Sequence, residues 1–154
     1  VVAATGKATE ESYLKGLGAS AIIDRATLAE KGKPMQKERW AGVVDAVGSH
    51  TLVNACAQTK YCGAVAACGL AQGADFPSTV MPFILRGINL LGIDSVNLNM
   101  ASRLRVWQQL AETLDKSDFD LIIKEVIGLD EVIGKVNDFM DGKVVGRYVV
   151  DLKA

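Results

Sequence analysis

Val1-Val2-Ala3-Ala4-Thr5-Gly6-Lys7 is a short apolar run that stops at a glycine, with a hydroxyl before it and a cation after it. Such a run reads as a buried strand, and a strand that ends in this way can hold a phosphate. Similar runs recur at 21–24, 43–47, 64–68 and 90–94, with segments of helical period between them. They are short, mostly apolar on both faces, and several end in Gly or Asp, as strands do in a parallel sheet covered by helices on both sides. The fold class they predict is α/β.

Between the first two runs, Thr9-Glu10-Glu11-Ser12-Tyr13-Leu14-Lys15 predicts a helix with acidic residues near its N-terminus, where the macrodipole favours them, stopping at Gly16-Leu17-Gly18. Residues 26–41 are charged and carry Gly32 and Pro34, which predicts a short helix and a loop. A helix is expected over 50–58 and a ligand-side loop over 69–79. A longer helix is expected over 100–115, its face formed by Leu104, Trp107, Leu110, Ala111 and Leu114. The turn near Lys116-Ser117-Asp118 marks a boundary, after which 121–127, 130–140 and 144–152 read as strand, helix and strand. The expected domains are therefore 1–116 and 117–154.

Charge and composition exclude several functions. Lys plus Arg is 17 and Asp plus Glu is 18, so no positive excess exists to drive counterion release from a nucleic acid. No apolar stretch is long enough to span a bilayer and no signal peptide opens the chain, so a cytoplasmic location is expected. Cys56, Cys62 and Cys68 match neither a disulfide framework nor a zinc site and read as buried small hydrophobes. His50 is the lone histidine, placed at a helix start, and no metal site is expected. Trp40 and Trp107 read as packing anchors, since no basic groove surrounds them.

Gly16-Leu17-Gly18-Ala19-Ser20-Ala21 matches the G-x-G-x-x-A dinucleotide signature, but in reverse context. The signature works where glycines follow a strand and open a helix; here a helix precedes and a strand follows, so these glycines read as a helix terminator. Thr5-Gly6-Lys7 has two readings, an ordinary turn or the corner that meets an adenosine ribose. An acid at that corner would accept from the 2′-OH of NAD, whereas a cation with hydroxyl donors suits the 2′-phosphate of NADP. No acid follows the strand, and Arg25 at the end of the next one favours NADP. Asp45-Ala46-Val47-Gly48 is either a plain strand end or a place where backbone comes close to a ligand. Ala66-Ala67-Cys68-Gly69-Leu70-Ala71 and Gly92-Ile93-Asp94-Ser95 end the next two strands, making successive strand ends along one edge. A strand, Gly-rich turn and helix N-terminus to cradle a pyrophosphate do not precede Thr5. The chain is therefore expected to be a large piece of a dinucleotide-binding enzyme, entered at the second strand of its sheet.

Several stretches together carry a family resemblance: Ala4-Thr5-Gly6-Lys7, Tyr13-Leu14-Lys15-Gly16-Leu17-Gly18-Ala19-Ser20, Trp40-Ala41-Gly42-Val43-Val44-Asp45-Ala46-Val47-Gly48, and residues 55–70. Thr79-Val80-Met81-Pro82-Phe83-Ile84-Leu85-Arg86-Gly87 and Gly92-Ile93-Asp94-Ser95 add to them. The chain resembles the acrylyl-CoA reductase branch of the quinone-oxidoreductase-like medium-chain dehydrogenases/reductases. The similarity spans nearly all of 1–95, fades across Val96-Asn97-Leu98-Asn99-Met100, and returns at Gly142-Lys143-Val144-Val145-Gly146-Arg147. It covers less than half of the family's usual length.

The resemblance implies a zinc-free, NADPH-dependent reductase, usually a homodimer, with a Rossmann-like domain inserted into a GroES-like catalytic domain. This chain would hold the Rossmann-like parallel sheet without its first strand and Gly-rich turn, plus a C-terminal strand-helix-strand returning to the GroES-like domain. Hydride would pass to the β-carbon of an α,β-unsaturated thioester, or to a quinone, with donors placed where negative charge develops. By resemblance, Thr5, Gly6, Lys7 and Arg25 hold the 2′-phosphate end, Val47 and Gly48 lie along the ribose, and Leu70, Ile84 and Ser95 line the nicotinamide end. Arg147 is expected to contact cofactor or substrate. No catalytic residue is assigned, because the tyrosine near the substrate would precede Val1, and the isolated chain is expected to be inactive. The competing readings are a non-catalytic nucleotide-sensing or assembly module and a methyltransferase-like domain, the latter disfavoured by Thr5-Gly6-Lys7 standing where an acid is needed.

Overall fold

The computed structural model describes residues 1–153. In chain order the elements are β1 (Val2–Thr5), α1 (Glu11–Gly16), β2 (Ala21–Asp24), α2 (Ala26–Ala29), β3 (Trp40–Asp45), α3 (Ser49–Gln58) and β4 (Thr59–Ala67). They continue as α4 (Met81–Arg86), β5 (Asn89–Gly92), α5 (Met100–Thr113), α6 (Lys116–Ile122), β6 (Ile123–Gly128), α7 (Val132–Met140) and β7 (Arg147–Asp151). Hydrogen bonding sorts the strands into three sheets, β1-β2, β3-β4-β5 and β6-β7. The pairs within the last two are all parallel. The first two sheets reproduce the runs 3-2 and 4-5-6 of the doubly wound order 3-2-1-4-5-6, and no described strand takes the place of strand 1.

The chain falls into two compact units. One comprises Ala4–Gly6 and Ile23–Asn99; the other comprises Val1–Ala3, Lys7–Ile22 and the chain from Met100 onward. The core of the first unit is Leu52, Cys56, Val65 and Ile88, with Val43, Ala67, Phe83 and Leu90 packed against them. It is the meeting of one face of α3 with the inward side of β3, β4 and β5, as their apolar runs require. Around it, polar side chains close the α3 surface. Asn54 Nδ2 donates to the carbonyls of Leu28 (2.8 Å) and Glu30 (2.7 Å), and Gln58 Nε2 donates to Gln36 Oε1 (2.8 Å). Trp40 anchors as expected, donating through its indole N–H to Gln58 Oε1 at 3.2 Å under the Arg39 guanidinium.

Strand boundaries move for identifiable reasons. β3 ends at Asp45, two residues before the expected end, because the Asp45 carboxylate accepts from the amides of Val47 (3.1 Å) and Gly48 (2.8 Å) and turns the chain there. β4 starts at Thr59, earlier than expected, and its register against β3 shifts between Trp40 and Gly42. Cys62 lies in that irregular stretch at φ 58°. Helix α4 answers to no expectation drawn above, although Pro82 in its first turn and Gly87 in the left-handed region after it are ordinary start and stop signals.

In the second unit, α1 ends where the reversed glycine signature predicts. Gly18 has φ +94°, its N–H donates to Lys15 O (2.9 Å), and the Ala19 N–H donates to Leu14 O (3.0 Å). That paired bonding is a Schellman cap, which needs a residue without Cβ strain at its left-handed position. Residues 116–118 are not a turn: Asp115 caps α6 by accepting from the amides of Ser117 and Asp118, while Asp118 reaches back to the Asp115 amide. This capping box carries the helix through Ile122, so the strand expected from 121 starts at Ile123. Tyr148 of β7 stacks edge-on against Phe139 of α7 at 5.5 Å, with the ammonium groups of Lys124 and Lys135 at 5.6 and 5.2 Å from its ring centre.

Two packing expectations fail. The apolar positions of α5 do not cover a buried face, and Trp107 is 62% exposed. Of the three cysteines, only Cys56 is a buried hydrophobe; Cys62 and Cys68 are exposed. Burial pushes the Cys56 thiol up to about 11, with the Asp45 charge adding to the effect. Its thiolate is therefore scarce at neutral pH. Maleimide labelling of the native chain at mildly alkaline pH is expected to modify Cys62 and Cys68 and to reach Cys56 only on unfolding, as mass spectrometry would read. Early labelling of Cys56 would contradict its place in the core.

Candidate functional site

The C-terminal ends of β1 and β2 and the segments after β3 and β4 converge within the first unit on a pocket of ≈ 530 Å³. Ala4 and Gly6 supply one wall, Asp24, Arg25, Ala26 and Ala29 a second, Val47 and Thr51 a third, and Ala71 and Gln72 a fourth. β1 and β2 are joined at this end by the Arg25 amide, which donates to Thr5 O at 3.0 Å. An ideal Cβ on Gly6 would lie 2.6 Å from Arg25 Nε, so glycine is what allows the guanidinium to lie on the backbone here. Among the described residues no ion pair engages Arg25. The neighbouring Asp24 carboxylate is occupied locally, accepting from the Ala26 amide at 2.9 Å, where α2 begins. The pocket therefore presents a planar cation with donors left over and small residues around it, which is the chemistry that binds a phosphate dianion.

A second, more open pocket of ≈ 490 Å³ lies at the ends of β4 and β5, lined by Ala67, Cys68, Gly69, Leu70, Gly92, Ile93 and Asp94. Its rim is shaped by Asp94, whose Oδ1 accepts from the amides of Val96 (3.0 Å) and Asn97 (2.9 Å). Bonds from the Asn97 amide and side chain, with a further one from the Val96 amide, hold the Asp94 carboxyl below the usual carboxylate range. Because that value is depressed, the turn keeps these bonds at neutral pH and loses them as pH falls through it.

The structure gathers some of the residues singled out in the sequence and separates others. Gly6, Arg25 and Val47 line the first pocket and Leu70 the second. Thr5 carries the backbone carbonyl that receives Arg25. Lys7 belongs to the second unit, where its ammonium donates to the carbonyls of Gly142 and Val144. Gly48, at φ +75°, does approach backbone closely, but that backbone is the protein's own: a Cβ would run into the Gly73 carbonyl, and the two glycines form a bridge. Ile84, on the exposed side of α4, and Ser95, in the turn after β5, line neither pocket. Arg147 starts β7 in the second unit, donating to Gly146 O at 2.9 Å. His50 is the second residue of α3, its Nδ1 buried without a partner. Among the described residues no three metal-ligating groups gather, and no helix is long and apolar enough to cross a membrane.

Gln72 and Thr51 are pocket residues that sequence reading missed. Their only trace was a polar side chain in an otherwise small-residue loop, Gly69-Leu70-Ala71-Gln72-Gly73, facing the first turn of a helix.

Strand ends that share a pocket along one edge are the arrangement of a doubly wound α/β protein. Comparison with known proteins narrows this. The chain matches no protein-family model. It is 45% identical to the acrylyl-CoA reductase AcuI of Ruegeria pomeroyi, over 100% of this chain and 47% of that protein. It is 39% identical to Bacillus subtilis YhfP, named as a quinone oxidoreductase, over 99% of this chain and 46% of that protein. Among solved structures, it aligns with the YhdH oxidoreductase of Salmonella enterica in complex with NADP (TM-score 0.93, 39% identity), covering 99% of this chain and 46% of that one. It also aligns with YhfP with NAD bound (TM-score 0.92, 39% identity), again over 99% and 46%. The chain belongs to the acrylyl-CoA reductase and quinone-oxidoreductase-like branch of the medium-chain dehydrogenases/reductases. It spans about half the length of the relatives it matches.

Proposed function

We propose that this chain is the cofactor-carrying part of a zinc-free, NADPH-dependent reductase acting on an activated alkene of the acrylyl-CoA type or on a quinone. The observation that carries the reading is Arg25, unpaired among the described residues and laid on Gly6 where β1 and β2 end, in a pocket whose one carboxylate is engaged by the α2 amide. A ribose 2′-phosphate supplies the dianion that this corner lacks, whereas a 2′-OH would leave the guanidinium unmatched. The NADP complex of the Salmonella relative supports the assignment.

Arg25 would hold the 2′-phosphate, the Gly6 backbone would let it come close, Val47 would lie along the ribose, and Leu70 with Gly92 and Ile93 would face the nicotinamide end. Thr5 and Lys7 would act on the 2′-phosphate corner from its edge; for Lys7 this means exchanging its bonds to the Gly142 and Val144 carbonyls for the ligand. Gly48 would set the ribose wall by its contact with Gly73 rather than touch the ligand itself. Ile84 and Ser95 would line the nicotinamide end, and Arg147 would contact cofactor or substrate. When bound, the cofactor supplies a hydride; the residues named here bind and orient it. Functionally, 1–116 carries the cofactor walls and 117–154 the segment returning to the catalytic domain, within a cytoplasmic homodimer.

Among the described residues no strand, Gly-rich turn and helix supply a pyrophosphate cradle, so the isolated chain should bind NADPH weakly and turn nothing over. The test is a chimera in which this chain replaces the matching stretch of the Ruegeria enzyme. We expect oxidation of NADPH with acryloyl-CoA or a quinone. A folded chimera that binds NADPH and reduces neither acceptor would favour a sensing or assembly module instead.

A further inference from the structure

Gln72 is a polar side chain at the Arg25 pocket bonded on both its oxygen and its nitrogen, and the reading above leaves its role open. Its Oε1 accepts from the Thr51 amide (3.2 Å) and the Thr51 hydroxyl (2.8 Å), and its Nε2 donates to Ala29 O (2.9 Å). Its own amide donates to Val47 O at 2.8 Å. These partners fix the orientation of the carboxamide, because the Thr51 amide can only donate and the Ala29 carbonyl can only accept. One side chain thus ties the loop after β4 to the end of α2 and the first turn of α3. Gln72, Thr51, Ala29 and Val47 all line the same pocket as Gly6 and Arg25.

The choice of an amide has a chemical consequence. The Thr51 N–H is one of the amides that a helix N-terminus leaves unpaired, and a glutamate would accept from it at least as well, favoured by the helix dipole. A glutamate would lose only the bond to Ala29, but it would put a negative charge on the wall of a pocket whose binding power lies in one guanidinium. We propose that Gln72 is a specificity-determining positioning residue, which latches the third and fourth walls in place and keeps them uncharged, so that the Arg25 cation is reserved for a ligand's phosphate dianion. This rests on reading the pocket as the adenosine end of an NADPH site.

The 154-residue chain is titrated with 2′-AMP and with 5′-AMP, followed by amide chemical shifts. Wild type should prefer 2′-AMP, and Arg25→Met should remove the preference. Gln72→Glu should weaken 2′-AMP about tenfold at low salt while changing 5′-AMP about threefold or less, and the difference should shrink as salt rises. Gln72→Met, which loses the latch without adding charge, should weaken both ligands by a similar factor. If Gln72→Glu weakens both equally, or its effect ignores salt, Gln72 is merely structural and the proposal is overturned. If Arg25→Met removes the preference and Gln72→Glu leaves it intact, the Gln72 inference falls and the pocket reading stands. If wild type shows no preference, the pocket reading falls and takes this inference with it. Should Gln72→Glu fail to fold, Gln72→Lys carries the test with opposite sign: a raised preference supports the proposal and an unchanged one overturns it.

Discussion

Replacing Arg25 with methionine is expected to raise the KM of the chimera for NADPH by about 10- to 100-fold while changing that for NADH by about threefold or less. The size follows from the bonding. A guanidinium that faces a phosphate makes charge-assisted hydrogen bonds, each contributing about 1.5–3 kcal/mol, and here no carboxylate partner competes for it among the described residues. Methionine keeps the aliphatic stem and removes the guanidinium that lies on Gly6; packing lost there would weaken both cofactors alike, so it does not explain a selective effect. Lysine should recover part of the preference, because a point charge attracts the dianion without the planar fork. Steady-state kinetics with both cofactors decides the matter: equal losses for NADPH and NADH would remove Arg25 from the 2′-phosphate site.

The pocket behind this prediction is partly legible in the sequence. Strands that end in Gly or Asp and alternate with helical segments place their ends along one edge, and that rule alone brings Gly6, Arg25 and Val47 together. The reversed signature at Gly16–Gly18 was equally legible, since a Schellman cap and a phosphate loop use glycine for different neighbours. Lys7 was not. Its position after the strand says nothing about the carbonyls of Gly142 and Val144, which approach it from 135 and 137 residues further along the chain. Gln72 was hidden for the same reason, because its partners Ala29 and Thr51 come from two separate elements.

Helix boundaries show a different limit. Asp115 and Asp118 are a capping pair at the right spacing, but as a turn they leave α6 out and start the strand two residues before β6 begins. Periodicity misled in α5, where Leu104, Trp107 and Leu110 do share a face but stand exposed. An apolar stripe states what a helix can bury, and whether anything covers it is a tertiary fact that local pattern does not carry.

Arg86→Ala is expected to destabilise the first unit strongly, at about 2–4 kcal/mol, seen as a drop of about 10 °C in thermal midpoint. Arg86 closes α4, and its side chain is only 13% exposed. Nη1 donates to the carbonyls of Ala57 (2.8 Å) and Thr59 (3.2 Å), Nη2 donates to Gln36 O (2.5 Å), and Nε pairs with Glu38 at 3.3 Å. Those carbonyls belong to the end of α3, the start of β4 and the irregular segment before β3, so one guanidinium reinforces a junction that backbone bonds from Gln36 to Ala57 O (3.0 Å) and from Arg39 to Gln58 O (2.8 Å) already begin. Alanine would leave the Ala57 carbonyl with the Gln36 amide alone and would take the guanidinium from the Thr59 and Gln36 carbonyls in a half-buried site, loosening the segment around Gln36 that also bonds Gln58 and Asn54. Lysine keeps the charge but cannot span three acceptors in a plane, so it should recover less than half of the loss. Urea denaturation of the three proteins tests this. A loss near 1 kcal/mol, the size of an ordinary exposed ion pair, would mean that the bonds to the carbonyls contribute little and that only the Glu38 contact had been removed.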